Sequence, residues 1–297
     1  MTQRHTVPPD TKNEPVATET SEIGGPPRTR SEPGGTRDGD VLVTRRPGVV
    51  HVVFNRPERH NSITRSMYRT LRALTTELRA DSEIRVVIFR GAGGRAFASG
   101  TEISEFLAIP DGTHGIEYEA ELVELLHAIQ DLPQVTVAAV DGICMGGGLA
   151  IATHCDLRIC TAGSLFGYPI ARTVGNALSA SCLYRCAAIF GESLTRAMLL
   201  LSHLVTAQQA HAVGAVFAVA AEGSLENETE VVAARVLGGA QETIRATKEQ
   251  FLYKAKRFEA APQNDEDRIA RVYASSDFQR MVRSFLAKDD PAQESRT

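Results

Sequence analysis

Two glycine-centred segments, Phe97-Ala-Ser-Gly-Thr-Glu-Ile103 and Asp141-Gly-Ile-Cys-Met-Gly-Gly-Gly148, constrain this chain most. Each is placed to end a strand, and the second leads directly into Leu149-Ala-Ile-Ala-Thr-His, which reads as a helix. Glycines let the backbone turn sharply, and the first turn of a helix leaves N–H groups without intrahelical partners. Such a turn aims backbone donors, reinforced by the helix dipole, at an anion or a polarised carbonyl. Preorganised donors of this kind stabilise developing negative charge without reorganisation. A triple glycine also suits a tight packing turn, so the pattern alone leaves both readings open.

The surrounding sequence alternates strands and helices. Val41-Leu-Val-Thr and Val49-Val-His-Val-Val-Phe54 are β-branched runs joined by Pro47-Gly48, as in a hairpin. After a turn over Asn55–Asn61, Ser62 or Thr64 can cap a helix to about Ala80, with Met67, Leu71, Leu74 and Leu78 at helical spacing. Val86–Phe89 reads as a strand, Tyr118–Ile129 as a helix carrying Leu122, Leu125, Leu126 and Ile129, and Pro133 stops the chain before strand Val135–Val140. A helix to Cys155 and a strand Leu157–Cys160 follow. From Ser179 the pattern is helical: Ala197–Leu201, Ala207–Val213, one long stretch from about Glu228 to Phe258, and a terminal segment Asp265–Ala287. The terminal segment carries Ile269, Val272, Phe278, Met281, Val282 and Phe285 on one face. This layout predicts an α/β fold of β-β-α units over 39–225, with a C-terminal helical region over 226–297.

Residues 1–38 are rich in Pro, Gly, Thr, Glu and Arg with almost no large apolar side chains, so they read as a disordered tail. The tail lacks the apolar stretch of a signal peptide and is too acidic for a transit peptide. All five cysteines fall in one apolar stretch without CxxC spacing, which reads as reduced core thiols of a cytoplasmic protein rather than a metal site. A net charge of −4 gives no reason to expect nucleic acid, and no apolar run approaches the ~20 residues of a membrane span.

Five segments, in order, resemble motifs of the crotonase (enoyl-CoA hydratase/isomerase) family: Phe54–Asn61, Arg95–Ile103, Ala138–Gly148, Cys155-Asp-Leu-Arg-Ile159 and Phe166-Gly-Tyr-Pro169. The resemblance runs from about Asp40 to Leu286. It implies a crotonase-like β-β-α spiral core, an acyl-CoA thioester as substrate, and a homo-oligomer, trimer or dimer of trimers. In its terms the N–H groups of Thr101 and Gly147 are paired oxyanion donors. The backbone around Arg95, Ala96 and Ala98 lines the groove for the adenine and pantetheine, with Arg56 and Arg59 as phosphate or adenine neighbours. Glu102, Ile103, Gly146, Ala150, Ile170 and Arg172 belong to the substrate site. No metal or redox cofactor is implied, since CoA arrives with the substrate.

The departures carry equal weight. The two positions at which hydratases of the resembled family hold catalytic glutamates are Ala150 and Ile170. A general acid or base is worth about 10²–10⁴ in rate, so standard water addition is not expected. Substitutes are Tyr168, a phenol on the loop of Ile170, which otherwise packs on a helix, and His154, one turn beyond Ala150, which otherwise is a core histidine. Glu105, Glu119, Glu121 and Glu124 follow the first loop; most belong to a solvated face, and Glu119, beside Tyr118, is the preferred candidate. Arg172 either meets a substrate carboxylate or packs. Ser99 lacks the Gly-x-Ser-x-Gly elbow of a hydrolase. The expected function is an enolate-stabilising acyl-CoA enzyme, a hydratase or isomerase with atypical acid/base residues. The alternatives are a decarboxylase-type lyase and a catalytically silent acyl-CoA-binding paralogue.

Overall fold

The computed structural model describes residues 39–260, 262 and 264–288; the expected tail over 1–38 lies outside them. Strands β1 (Val41–Arg46) and β2 (Val49–Phe54) form the expected antiparallel hairpin, with Val41 opposite Phe54 and Arg46 opposite Val49. Helix α1 (Arg65–Ala80) begins at Thr64, whose hydroxyl accepts the Met67 N–H at 3.2 Å, and its buried stripe is Met67, Tyr68, Leu71, Leu74 and Leu78. The chain then runs through β3 (Val86–Gly91), β4 (Ala96–Ala98), α2 (Gly112–Gln130), β5 (Val135–Val140), β6 (Ile143–Met145), α3 (Gly147–His154), β7 (Leu157–Thr161) and β8 (Leu165–Gly167). Beyond lie α4 (Ala180–Phe190), α5 (Glu192–Leu201), β9 (Val205–Thr206), α6 (Ala207–Ala212) and β10 (Ala218–Ala220). Four helices follow: α7 (Leu225–Leu237), α8 (Gln241–Phe258), α9 (Asp265–Tyr273) and α10 (Ser276–Lys288).

Each turn of the spiral gives one strand to each of two sheets. The larger runs β1-β2-β3-β5-β7-β10 and the smaller β4-β6-β8-β9. All neighbours from β2 to β10 in the larger sheet are parallel, as are β4, β6 and β8 in the smaller. The main core lies between the sheets and α1–α3, where Phe54 meets Phe97 edge-on at 5.2 Å. Val232 and Ala233 of α7 cover the opposite face of the larger sheet against Val86, Ile88 and Val137. A third cluster joins α2 to the C-terminus through Phe106, Tyr118, Ile269, Tyr273 and Phe278. All five cysteines are free and buried. The motif residue Arg158 is a structural stitch: its guanidinium donates to the carbonyls of Ala215, Ala152, Cys155 and Asp156. No helix among the described residues is long and apolar enough to cross a membrane.

Three expectations change. The stretch Glu228–Phe258 is two helices, because Gly238-Gly239 interrupts it and glycine is about 1 kcal/mol less favourable than alanine in a helix interior. The segment Asp265–Ala287 is also two helices; the Ser275 hydroxyl accepts the Phe278 N–H at 3.2 Å and starts the second. Helix α2 begins at Gly112 rather than near Tyr118, with the Asp111 carboxylate accepting the His114 N–H. Gly112 and Gly115 belong to this helix because α9 crosses it closely. A Cβ on Gly112 would lie 2.5 Å from the Ala270 carbonyl oxygen, and one on Gly115 2.4 Å from Tyr273 Cγ.

Candidate active site

The parallel pairing of β4 with β6 places Ala96 beside Ile143 and Ala98 beside Cys144, so the chain leaves both strands in the same place. Residues 99–101 and 145–147 therefore abut. A Cβ on Gly100 would lie 3.9 Å from the Gly147 nitrogen, and one on Gly147 would lie 3.7 Å from the Thr101 nitrogen. The first loop is pinned by Ile63, whose N–H donates to the Gly100 carbonyl at 2.8 Å and whose carbonyl accepts the Glu102 N–H at 2.9 Å. Among the described residues the Thr101 N–H has no backbone partner. Gly147 opens α3, so its N–H is one of those a helix leaves without an intrahelical partner.

These two N–H groups sit at a cavity of about 620 Å³. Its lining takes in exposed Glu58, Arg59 and His60 as well as Phe285 and Leu286 of α10. Between them the walls are mostly apolar: Ile103, Phe106, Leu122, Ile143, Ala150, Ile170, Val174 and Leu178.

Two of the lining carboxylates differ sharply. Glu102 accepts the Ser62 hydroxyl at 2.9 Å and the Arg56 guanidinium at 3.2 Å; burial raises its pKa, but these partners outweigh it and hold the carboxyl below its ordinary value. It is a held ion pair. Glu119 is 2% exposed and has no cationic partner among the described residues. Its carboxylate accepts the Tyr273 hydroxyl at 2.8 Å and the Ser179 N–H at 3.3 Å. Burial pushes its carboxyl up to about 7, against the opposing pull of those two hydrogen bonds, with Asp265 adding a smaller upward push. A group poised near neutral pH takes and returns a proton with least cost in either direction.

The sequence candidates divide accordingly. Thr101, Gly147, Gly146, Glu102, Ile103, Glu119, Ala150, Tyr168 and Ile170 line the cavity. Outside that lining lie His154, Arg56, Arg95, Ala96, Ala98 and Arg172. His154 turns into the protein, with Nδ1 2.7 Å from the Ala150 carbonyl oxygen, and burial pushes its pKa down to about 3. Arg56 is spent on Ser62 and Glu102. Arg95 is exposed and reaches the Pro57 carbonyl at 3.4 Å. Ala96 and Ala98 are buried within β4, and Arg172 is exposed. The Tyr168 hydroxyl is buried without a hydrogen-bond partner among the described residues; its electrostatic neighbours are the thiols of Cys186, Cys182 and Cys144, and burial raises its pKa well above the ordinary value.

Sequence reasoning missed the residues that set the environment of Glu119. Tyr273 stands 154 residues from it and Ser179 60, and no local pattern links them. Tyr68 carries no sequence signal that sets it apart from its helix, yet its hydroxyl lies 2.9 Å from Thr101 Oγ1.

A family profile described as Enoyl-CoA hydratase/isomerase matches residues 44–296. A protein named Short-chain-enoyl-CoA hydratase, from Clostridium acetobutylicum, is 25% identical over 212 residues, covering 71% of this chain and 80% of its own. The crystal structure of an enoyl-CoA hydratase from Mycobacterium avium subsp. paratuberculosis superposes with a TM-score of 0.74 at 29% identity, over 84% of this chain and 99% of that one. A structure described as a monofunctional enoyl CoA isomerase from M. smegmatis superposes with a TM-score of 0.61 at 31% identity, over 77% and 98%.

Proposed function

We propose, from the premise that this chain belongs to the enoyl-CoA hydratase/isomerase family, that it shifts the double bond of an enoyl-CoA thioester, with Glu119 carrying the proton. The observation that supports this reading is a single buried carboxyl poised near pH 7 in the same cavity as the Thr101 and Gly147 N–H groups. In a 3-enoyl thioester the ionised Glu119 removes a C2 proton. The electron pair moves toward the thioester oxygen, giving a dienolate whose charge the two N–H groups hold. The same carboxyl then returns the proton to C4, leaving the conjugated 2-enoyl thioester. One proton moves and nothing is consumed. Hydration, by contrast, needs groups that hold and activate a water, and the two positions suited to that task present the side chains of Ala150 and Ile170. Decarboxylation loses its support too, because Arg172 is exposed and does not line the cavity.

The test is incubation with a 3-enoyl-CoA and a 2-enoyl-CoA series, with products separated by chromatography and weighed. Interconversion at constant mass is expected. Addition of water to the 2-enoyl series as the dominant reaction would overturn the assignment.

The proton-carrying role also sets a pH profile. Because Glu119 acts as a base only when ionised, kcat/KM should rise with pH and level off above about 7. Tyr273→Phe removes a donor to the ionised form, so the rising limb should move to higher pH by about one unit, the size expected when a charged acceptor loses a hydrogen bond. An unmoved limb in that variant would separate Glu119 from the titration.

A further inference from the structure

Helix α4 begins at Ala180, and two buried carboxylates meet the N–H groups at its head. Asp265 accepts the Ala180 N–H at 2.8 Å, while Glu119 accepts the N–H of the cap residue Ser179 at 3.3 Å. The N-terminus of a helix carries a partial positive charge that favours an ionised carboxyl. Asp265 therefore holds the inner place and the shorter bond, and Glu119 the flanking one. A carboxylate that gathers several backbone N–H bonds is held far below its ordinary pKa, a state in which it takes up a proton only at great cost. Glu119 has one such bond, and the adjacent N–H is already taken.

Helix α9 supplies the second link. Asp265 and Tyr273 are its first and last residues, about two turns apart and so on one face. A single helix thus brings Glu119 both a donor, the Tyr273 hydroxyl at 2.8 Å, and a like charge. The two pull in opposite directions, since a donor favours the ionised carboxyl and a neighbouring negative charge the protonated one. The cation nearest Asp265 is Arg268, 3.9 Å from Oδ1 and half exposed, which screens it weakly. The other titratable neighbours of Glu119 are Tyr118, Tyr68 and Cys182, all kept neutral because burial pushes their pKa values up. Asp265 is the like charge in this environment.

We propose that Asp265 is a positioning residue for Glu119: by occupying the Ala180 N–H at the head of α4 and standing beside Glu119 as a like charge, it keeps that carboxyl from being locked as an ion. The role rests on the proton-carrying reading of Glu119 given above. A carboxyl held too firmly ionised is a weak base and returns a proton easily but takes one poorly, whereas one that is balanced does both. Asp265 acts through Glu119 and touches no substrate in this role. It also accounts for the burial of an acidic side chain at the start of α9, where a solvent-facing cap would serve the helix as well.

The experiment follows the Glu119 carboxyl by infrared absorption through a pH titration, its protonated band being the one lost in Glu119→Gln, and measures the pH profile of kcat/KM alongside. For Asp265→Asn, which keeps an acceptor for the Ala180 N–H and removes the charge, the midpoint should fall by about half a pH unit. The acid limb of kcat/KM should move down with it, and the plateau should drop about twofold because the base is weaker. Asp265→Ser removes the same charge with a shorter acceptor and serves equally if the amide variant folds poorly by circular dichroism. The sign separates tuning from scaffolding: a variant that merely loosened α9 would strip Glu119 of the Tyr273 hydroxyl and send the midpoint up. An unmoved or raised midpoint in both variants would overturn the proposal while leaving the role of Glu119 intact. A lowered midpoint in a protein that turns over none of the enoyl-CoA series would keep the tuning by Asp265 and remove the proton-carrying reading.

Discussion

Glu119→Gln should lower kcat by about 10³-fold, within the range for loss of a general acid or base, while acyl-CoA binding measured by calorimetry stays within a few-fold of wild type. The effect is large because, among the described residues that line the cavity, Glu119 is the buried carboxyl without a cationic partner. Glu102 is tied to Arg56 and Ser62, Glu58 is exposed, and His154 faces away with its pKa pushed down to about 3. Glutamine keeps the size of the side chain and can accept the Tyr273 hydroxyl, so a loss of turnover cannot be charged to collapse of the wall. Retention of kcat within tenfold would move the proton-carrying role to another group. The acid limb of the pH profile should vanish with the carboxyl, which gives the same variant a second readout.

Gly115→Val should destabilise the protein by about 3 kcal/mol, a fall of roughly 6–12 °C in Tm for a domain of this size. Two effects compete. Replacing a helical glycine restores backbone propensity worth less than 1 kcal/mol. Against this, the new Cβ would stand 2.4 Å from Tyr273 Cγ, and that ring has nowhere to go: Phe278 packs edge-on at 4.8 Å, Tyr118 lies at 6.3 Å, and the hydroxyl is held by Glu119. Overpacking wins, and α9 has to back away from α2. Activity should fall further than stability alone requires, because the retreat strips Glu119 of its Tyr273 hydrogen bond. A variant that melts normally but shows the upward pH shift expected of Tyr273→Phe would still support the coupling. Unchanged melting together with an unchanged pH profile would refute the close approach.

How much of this was legible beforehand follows from what leaves a periodic or local trace. The hairpin β1–β2, helix α1 and strand β5 announce themselves through runs long enough to show a repeat. Strands β4, β6 and β8 have three residues each, too few for any alternation to register, yet they form the smaller sheet that brings the two loops together. Gly112 and Gly115 look like helix breakers along the chain and are notches for α9 in space. The glycine loops could be read because their turns need glycine at particular places, as at Gly100 and Gly146 with φ of 123° and 50°. Glu119 could only be singled out weakly among four acidic neighbours, since what sets it apart is burial beneath Tyr273 and Ser179, both remote in sequence. The partners of Arg56 were hidden for the opposite reason: a positive charge in a motif says nothing of whether Glu102 or Ser62 holds it.

Tyr273, Phe285 and Leu286 all come from the last two described helices, although the strands that frame the cavity end before residue 170. On a ribosome the strands and Ser179 therefore emerge well before Tyr273, the second of the two groups that donate to Glu119. The Tyr273 hydrogen bond and the Phe285 and Leu286 wall of the cavity are thus the last of the described contacts around Glu119 to become available in the order of synthesis.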